Sequence, residues 1–229
     1  MLPEKVNWNI KTLIAVYVLR IVLGLLIVQT IYPLFTTVTS FMVEMTDRII
    51  VILLVWLVIS RGEAKFSDLG LAFQSVRYFV QNSILGVTAG VLLLFASIFS
   101  EQYYTTWLLL TPAPHPLALQ AQYAGSWQQL LPPLFLAGIA APVSEEILYR
   151  LFTFLPLKER WGVWGGAFGS AAIFTLMHFN VYWLGEMMVV GTGLALLYSW
   201  RGSLISAIWA HAFVNISKML MIFWGISPV

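Results

Sequence analysis

The stretch PVSEEILYR, residues 142–150, sets Glu145, Glu146 and Arg150 in surroundings that are otherwise almost wholly apolar. Two further places hold polar side chains four residues from a partner: Phe174 with His178, and His211 with Asn215. On a helix, residues four apart share a face. Glu146 and Arg150, acid first, have the orientation that favours an ion pair, whereas Glu145 is rotated by ~100° and is free to face something else. A charge at membrane depth costs ~2.5–3.5 kcal/mol, so such groups collect around partners or cavities. The chain has 3 histidines, and two of them fall in these pairs. Three helices that each carry such a group predict one shared polar cavity.

A carboxylate withdrawn from bulk water is a stronger base. Glu145, sharing a water with His178, would take a proton from that water as it attacks a carbonyl. His211 and Asn215 would donate hydrogen bonds to the resulting oxyanion. That is amide hydrolysis without a covalent intermediate. The same residue types allow a second chemistry, with Glu145, His178 and His211 as three ligands of a zinc ion that keeps an open water position. A third reading involves no reaction: the polar groups only tie helices together in a non-catalytic scaffold. The spacing does not choose among them. Other hydrolases lack their parts. There is no HExxH pair, no cysteine, and neither Asp47 nor Asp68 lies deep in an expected span. Ser170 follows Gly169 but lacks the second glycine of a nucleophile elbow.

The elements that must position these groups follow from composition. Of 229 residues, 60% are hydrophobic and 10% charged, with a mean hydropathy of +0.86. This implies an all-α, polytopic transmembrane helix bundle. Apolar runs place spans near 11–35, 46–60, 78–100, 130–156, 162–180, 184–199 and 203–223. An eighth is possible if 101–129 hides a helix. The expectation is a single integral membrane domain over 1–229, with the catalytic core in 130–223. A net charge of +2 with scattered basic residues argues against nucleic acid as a partner. Membrane lipid and a peptide or protein substrate remain.

Basic residues orient the bundle. Lys5, Lys11, Arg61, Lys65, Arg77, Lys158, Arg160 and Arg201 fall at one set of alternate span ends, and Arg48 alone at the other. The N-terminus is therefore expected in the cytoplasm and the C-terminus outside. Trp8, Trp107, Trp127, Trp161, Trp183, Trp200 and Trp224 sit near span ends, where indole rings favour the headgroup region. Lys218 is expected to snorkel, Glu186 to reach a span end, and Arg20 to pair or snorkel. His115, in the proline-rich loop TPAPHP, is expected to be solvated, and Pro142 to bend its helix. The small residues of GGAFGSA at 165–171 predict close helix packing.

Counting helical rise exposes a conflict. Glu145 lies ~16 Å from Pro156, His211 ~12 Å from Ser203, and His178 ~25 Å from Gly162. Three groups of one site are thus expected at three depths.

In this order the motifs EEILYR (145–150), FTLMH (174–178) and HAFVN (211–215) resemble the EExxxR, FxxxH and HxxxN pattern of the CAAX protease and bacteriocin-processing (CPBP, or Abi) membrane proteins. That family includes the type II CAAX prenyl endopeptidases. The resemblance spans about the last 90 residues. It implies an intramembrane glutamic endopeptidase in which Glu145 and His178 activate water, while His211 and Asn215 stabilise the oxyanion. Glu146, Arg150 and Phe174 would then shape the site. It favours no metal, and the short, loop-poor chain points to a bacterial plasma membrane. Two positions depart from the family pattern: Leu151, where many members have glycine, and Tyr149, where phenylalanine is frequent. Eukaryotic relatives remove the last three residues of prenylated proteins and bacterial ones are associated with peptide maturation or bacteriocin immunity, so a lipidated substrate is one expectation among several.

Overall fold

The computed structural model describes residues 2–226 apart from Glu4 and Glu63. Among the described residues the elements are helical. α1 spans Ile10–Thr30 and α2 Ser40–Ser60; α3 runs from Val76 to Trp107, and a short α4 covers Pro116–Gln122. A continuous helical run follows, made of α5 (Trp127–Phe135), a π-helical turn (Leu136–Ala140), α6 (Ala141–Glu145), a second π-helical stretch (Glu146–Phe154) and α7 (Leu155–Leu176). α8 (Leu184–Arg201) and α9 (Leu204–Phe223) complete the bundle. Side chains cap several starts: Asn9 accepts from the Lys11 and Thr12 amides, Thr39 from Met42, Ser75 from Tyr78 and Ser126 from Gln129.

Four stretches are long and apolar enough to cross a membrane: Ile10–Leu34, Val76–Trp107, Trp127–Leu176 and Leu204–Phe223. The third is 50 residues long and folds back at Gly162, whose φ of 72° and ψ of 178° no other residue type adopts readily. The pairings across it define an antiparallel hairpin. Ser170 donates to the Tyr149 carbonyl at 2.6 Å, and a Cβ on Gly166 would lie 2.7 Å from the Lys158 backbone.

This hairpin resolves the conflict of depths. Pro156 does not end its span, because a proline in the first turn of α7 lets the helix continue to the break at Gly162. Glu145 and His178 then lie on opposite arms, each roughly 25 Å of helical rise from the turn.

Small residues bring the rods together. Four residues apart on α3, Gly86 and Gly90 would place a Cβ 2.5 Å from the Ser206 carbonyl and 2.9 Å from that of Ala210. That contact sets the α9 backbone immediately beside His211. A Cβ on Gly191 of α8 would lie only 3.0 Å from the Ala171 Cβ of α7. The most completely buried segment is Glu146–Phe154, each of whose residues is buried. Exposed apolar side chains such as Ile14, Leu25, Leu92 and Phe95 cover α1 and α3, as a lipid-facing surface requires.

Several expectations are corrected. α2 begins at Ser40 rather than 46, which takes Arg48 out of a connection and onto a helix, where it pairs with Glu44 one turn away. Trp8 is 3% exposed, stacked on Phe152 and donating to the Phe152 carbonyl at 2.8 Å. Pro156 explains this bond, since it has no N–H to offer the carbonyl four residues back. Lys218 does not snorkel. Its ammonium lies 2.7 Å from Glu101 and 2.8 Å from Glu186, joining α3, α8 and α9. Arg20 does pair, through two bonds to Asp47 of 2.8 and 2.7 Å. The 101–129 segment holds the end of α3, a loop and α4, and lies over the cavity described next as a cap.

Candidate active site

The charged pair expected from spacing is present: Arg150 Nε lies 3.1 Å from Glu146 Oε2, with both side chains fully buried. The contact is an ion pair without hydrogen-bond alignment, so Nε and Nη1 have no hydrogen-bond acceptor among the described residues. The guanidinium is further held 4.9 Å over the Phe174 ring, and its Nη2 donates weakly to the Gly191 carbonyl at 3.4 Å. The second oxygen of Glu146 accepts from His211 Nδ1 at 2.8 Å. A carboxylate fixes which ring nitrogen carries the proton. His211 Nδ1 is therefore protonated, and Nε2 points to Glu145, 3.7 Å from its Oε2. The order is Arg150, Glu146, His211, Glu145, with the imidazole set between the two carboxylates.

Glu145 and Glu146 have different surroundings. Glu145 is 22% exposed and lines a cavity of about 660 Å³, within the range of ligand pockets, while Glu146 is sealed beneath it. His178, His211, Asn215 and Phe174 line the same cavity. His178 lies two residues beyond the end of α7, in a turn rather than on the helix as expected. Its Nδ1 is 2.8 Å from the Phe174 carbonyl. A carbonyl only accepts, so Nδ1 carries the proton and Nε2 of the neutral ring is an acceptor. Phe174 thus serves the motif through its backbone, and through a ring packed edge-on to Tyr149, His178 and His211.

Asn215 is set by a proline. In the π-helical turn the Ala141 amide reaches back to the Leu136 carbonyl. The next amide in that register would serve Ala137, but it belongs to Pro142 and has no hydrogen. The orphaned Ala137 carbonyl accepts from Asn215 Nδ2 at 2.9 Å instead, which leaves Asn215 with one N–H and its Oδ1 uncommitted.

Other lining groups were not legible as such. His115 was expected to be solvated. It is half-buried, caps α4 through Nδ1, packs 4.9 Å from the Trp183 ring and lines the cavity. Glu101, Glu186 and Lys218 line it as well. Ser170 is spent on the Tyr149 carbonyl, which leaves it no role as a nucleophile. Among the described residues no group of three or more His, Asp or Glu is arranged to hold a metal ion.

An all-helical membrane protein with carboxylate, imidazole and amide groups converging on an internal cavity is defined by this fold. Residues 127–217 match the model of a family described as type II CAAX prenyl endopeptidase Rce1-like. The matched segment is consistent with the CPBP resemblance and contains all three motifs. The chain is thus an integral membrane protein whose segment 127–217 is similar to the type II CAAX prenyl endopeptidases. α1 to α4, with His115, and Lys218 lie outside the match. No curated protein and no solved structure matches the chain.

Proposed function

We propose that the protein is a glutamic intramembrane endopeptidase that hydrolyses a peptide bond of a membrane-associated peptide, with prenylated peptides among the candidate substrates and no metal in the reaction. The catalytic unit is 130–223, inside a single membrane domain formed by the whole chain, in a bacterial plasma membrane with the N-terminus cytoplasmic. The observation that carries the reading is the cavity-facing Glu145 beside His211 Nε2, with Glu146 and Arg150 buried behind them.

Water sits between the acceptor Nε2 of His178 and the carboxylate of Glu145. Glu145 takes its proton as the oxygen forms a bond to the carbonyl carbon. His211, protonated on both nitrogens, makes the run from Arg150 to Glu145 electrically neutral and donates Nε2–H to the oxyanion. The free N–H of Asn215 is the second donor. As the tetrahedral species collapses, Glu145 returns the proton to the leaving nitrogen and the C–N bond breaks. The products are an acid and an amine.

The test is cleavage of quenched fluorescent peptides, plain and lipidated, by detergent-purified wild type and Glu145→Gln, each with and without chelator. Cleavage by wild type alone, indifferent to chelator, supports the reading. Loss of wild-type cleavage with chelator points to zinc held by Glu145, His178 and His211, and no cleavage by folded wild type favours a scaffold.

A further inference from the structure

His115 lies outside the matched protease segment, yet it reaches the same cavity from the cap. Its ring state is determined by its neighbours. Nδ1 accepts from the Leu117 amide at 3.1 Å, as the N-cap of α4. An amide only donates, so Nδ1 carries no proton while the cap is made. The only N–H of the ring is then at Nε2. This is the reverse of His178, whose Nδ1–H is spent on a carbonyl. One cavity therefore holds an imidazole acceptor on the α7–α8 turn and an imidazole donor on the cap.

The donor is rigidly placed. The Trp183 indole donates to the Ala113 carbonyl at 2.6 Å, two residues before His115, and its ring packs on the imidazole. Behind them Leu117 and Ala121 are buried in a cluster with Leu130 and Met219, which ties α4 to α5 and α9. Glu145 and His178 line the same cavity as His115. Burial keeps the ring below its ordinary histidine value, in favour of the neutral form. Among the described residues Nε2 has no hydrogen-bond partner, although Nδ1 has one.

From this we infer that His115 is a substrate-binding residue, whose Nε2–H donates to an acceptor oxygen of the peptide substrate and holds the chain against the cap beside Glu145. The inference rests on the protease reading above. The oxygen is either a main-chain carbonyl or a terminal carboxylate, which share the acceptor chemistry.

Two substitutions separate the two ring nitrogens. Asparagine is a strong N-cap but is too short to present a donor at the Nε2 position; glutamine presents that donor but caps poorly. Kinetics on a cleaved peptide, as free acid and as C-terminal amide, would be measured alongside thermal unfolding. His115→Asn should unfold at the wild-type temperature and raise KM roughly five- to tenfold with little change in kcat, as loss of one neutral hydrogen bond predicts. His115→Gln should recover part of that KM defect although it unfolds at a lower temperature. A defect confined to the free acid assigns the oxygen to a terminal carboxylate, and an equal defect in both assigns it to the main chain. A wild-type KM in His115→Asn would overturn the inference, as would KM defects that merely follow lost stability in both variants. If wild type cleaves and Glu145→Gln does not, such a result sinks the role of His115 alone; if wild type cleaves no peptide, the protease reading falls with it.

Discussion

Two adjacent glutamates with opposite duties can be separated by the same conservative change. Glu146→Gln removes the negative charge that faces Arg150 Nε at 3.1 Å and His211 Nδ1 at 2.8 Å, at a site with no exposure. Removing one partner of a buried ion pair costs about 3–5 kcal/mol, because the other charge is left uncompensated. The lower end is expected here. Arg150 keeps its contact with the Phe174 ring and a long bond to the Gly191 carbonyl, and the pair is not aligned as a hydrogen bond. At roughly 2–4 °C per kcal/mol for a chain of this size, about 3 kcal/mol lowers the unfolding temperature by about 6–12 °C. Glu145→Gln changes a partly exposed group whose nearest charged neighbour is 3.7 Å away, and should shift stability by no more than about 0.5 kcal/mol. Thermal unfolding in one detergent, followed by the fluorescence of the 10 tryptophans, reads both. Adding Arg150→Met to Glu146→Gln should recover much of the loss, since it removes the orphaned charge. The reasoning is refuted if Glu145→Gln is the destabilised variant, or if Arg150→Met deepens the loss in full.

Glu145→Gln should lower kcat by about 10²–10⁴, the usual share of general acid–base catalysis, which single-turnover cleavage measures. Pro142→Ala supplies an amide hydrogen that competes with Asn215 for the Ala137 carbonyl; kcat should fall roughly tenfold while thermal stability holds or rises, and a fall in both would contradict the account of that carbonyl. Gly162→Ala has room for its methyl group but an unsuitable backbone, so about 1–3 kcal/mol of stability should be lost in the same unfolding assay. With acid, the cap should loosen: burial holds His115 below the ~6.5 of a free histidine, so the unfolded form binds protons first as pH falls. The contribution of the neutral ring is complete above that value and is lost as pH drops toward the folded one. Protection of the amides of 116–122, taken relative to the intrinsic exchange rate at each pH, should fall below about pH 6.5 in wild type and not in His115→Asn.

How much of this was legible depends on the distance over which a contact acts. The Glu146–Arg150 pair and the shared face of His211 and Asn215 follow from helical repeat alone. Where α2 begins was missed, because Glu44, Asp47 and Arg48 interrupt the hydropathy although they lie on the helix. The end of the fourth span was misplaced for a local reason too, since a proline is a helix breaker except in a first turn or after a wider π turn. Lys218 looked like a snorkelling residue because its two carboxylate partners are 117 and 32 positions away.

The amino-acid sequence by itself determined the environment and the reagents: a membrane bundle, two carboxylates and an arginine within about a turn and a half of helix, and two histidines and an amide further along the chain. Composition and a 3.6-residue period are enough for that, because backbone hydrogen bonding fixes which neighbours share a face. Only the tertiary structure decided who meets whom. His211 stands between both glutamates, Asn215 finds the carbonyl that Pro142 leaves free, and His115 comes in from the cap. Each of these contacts joins residues distant in the chain, and it exists only because the Gly162 hairpin and the close approach of α3 to α9 bring separate helices to one depth.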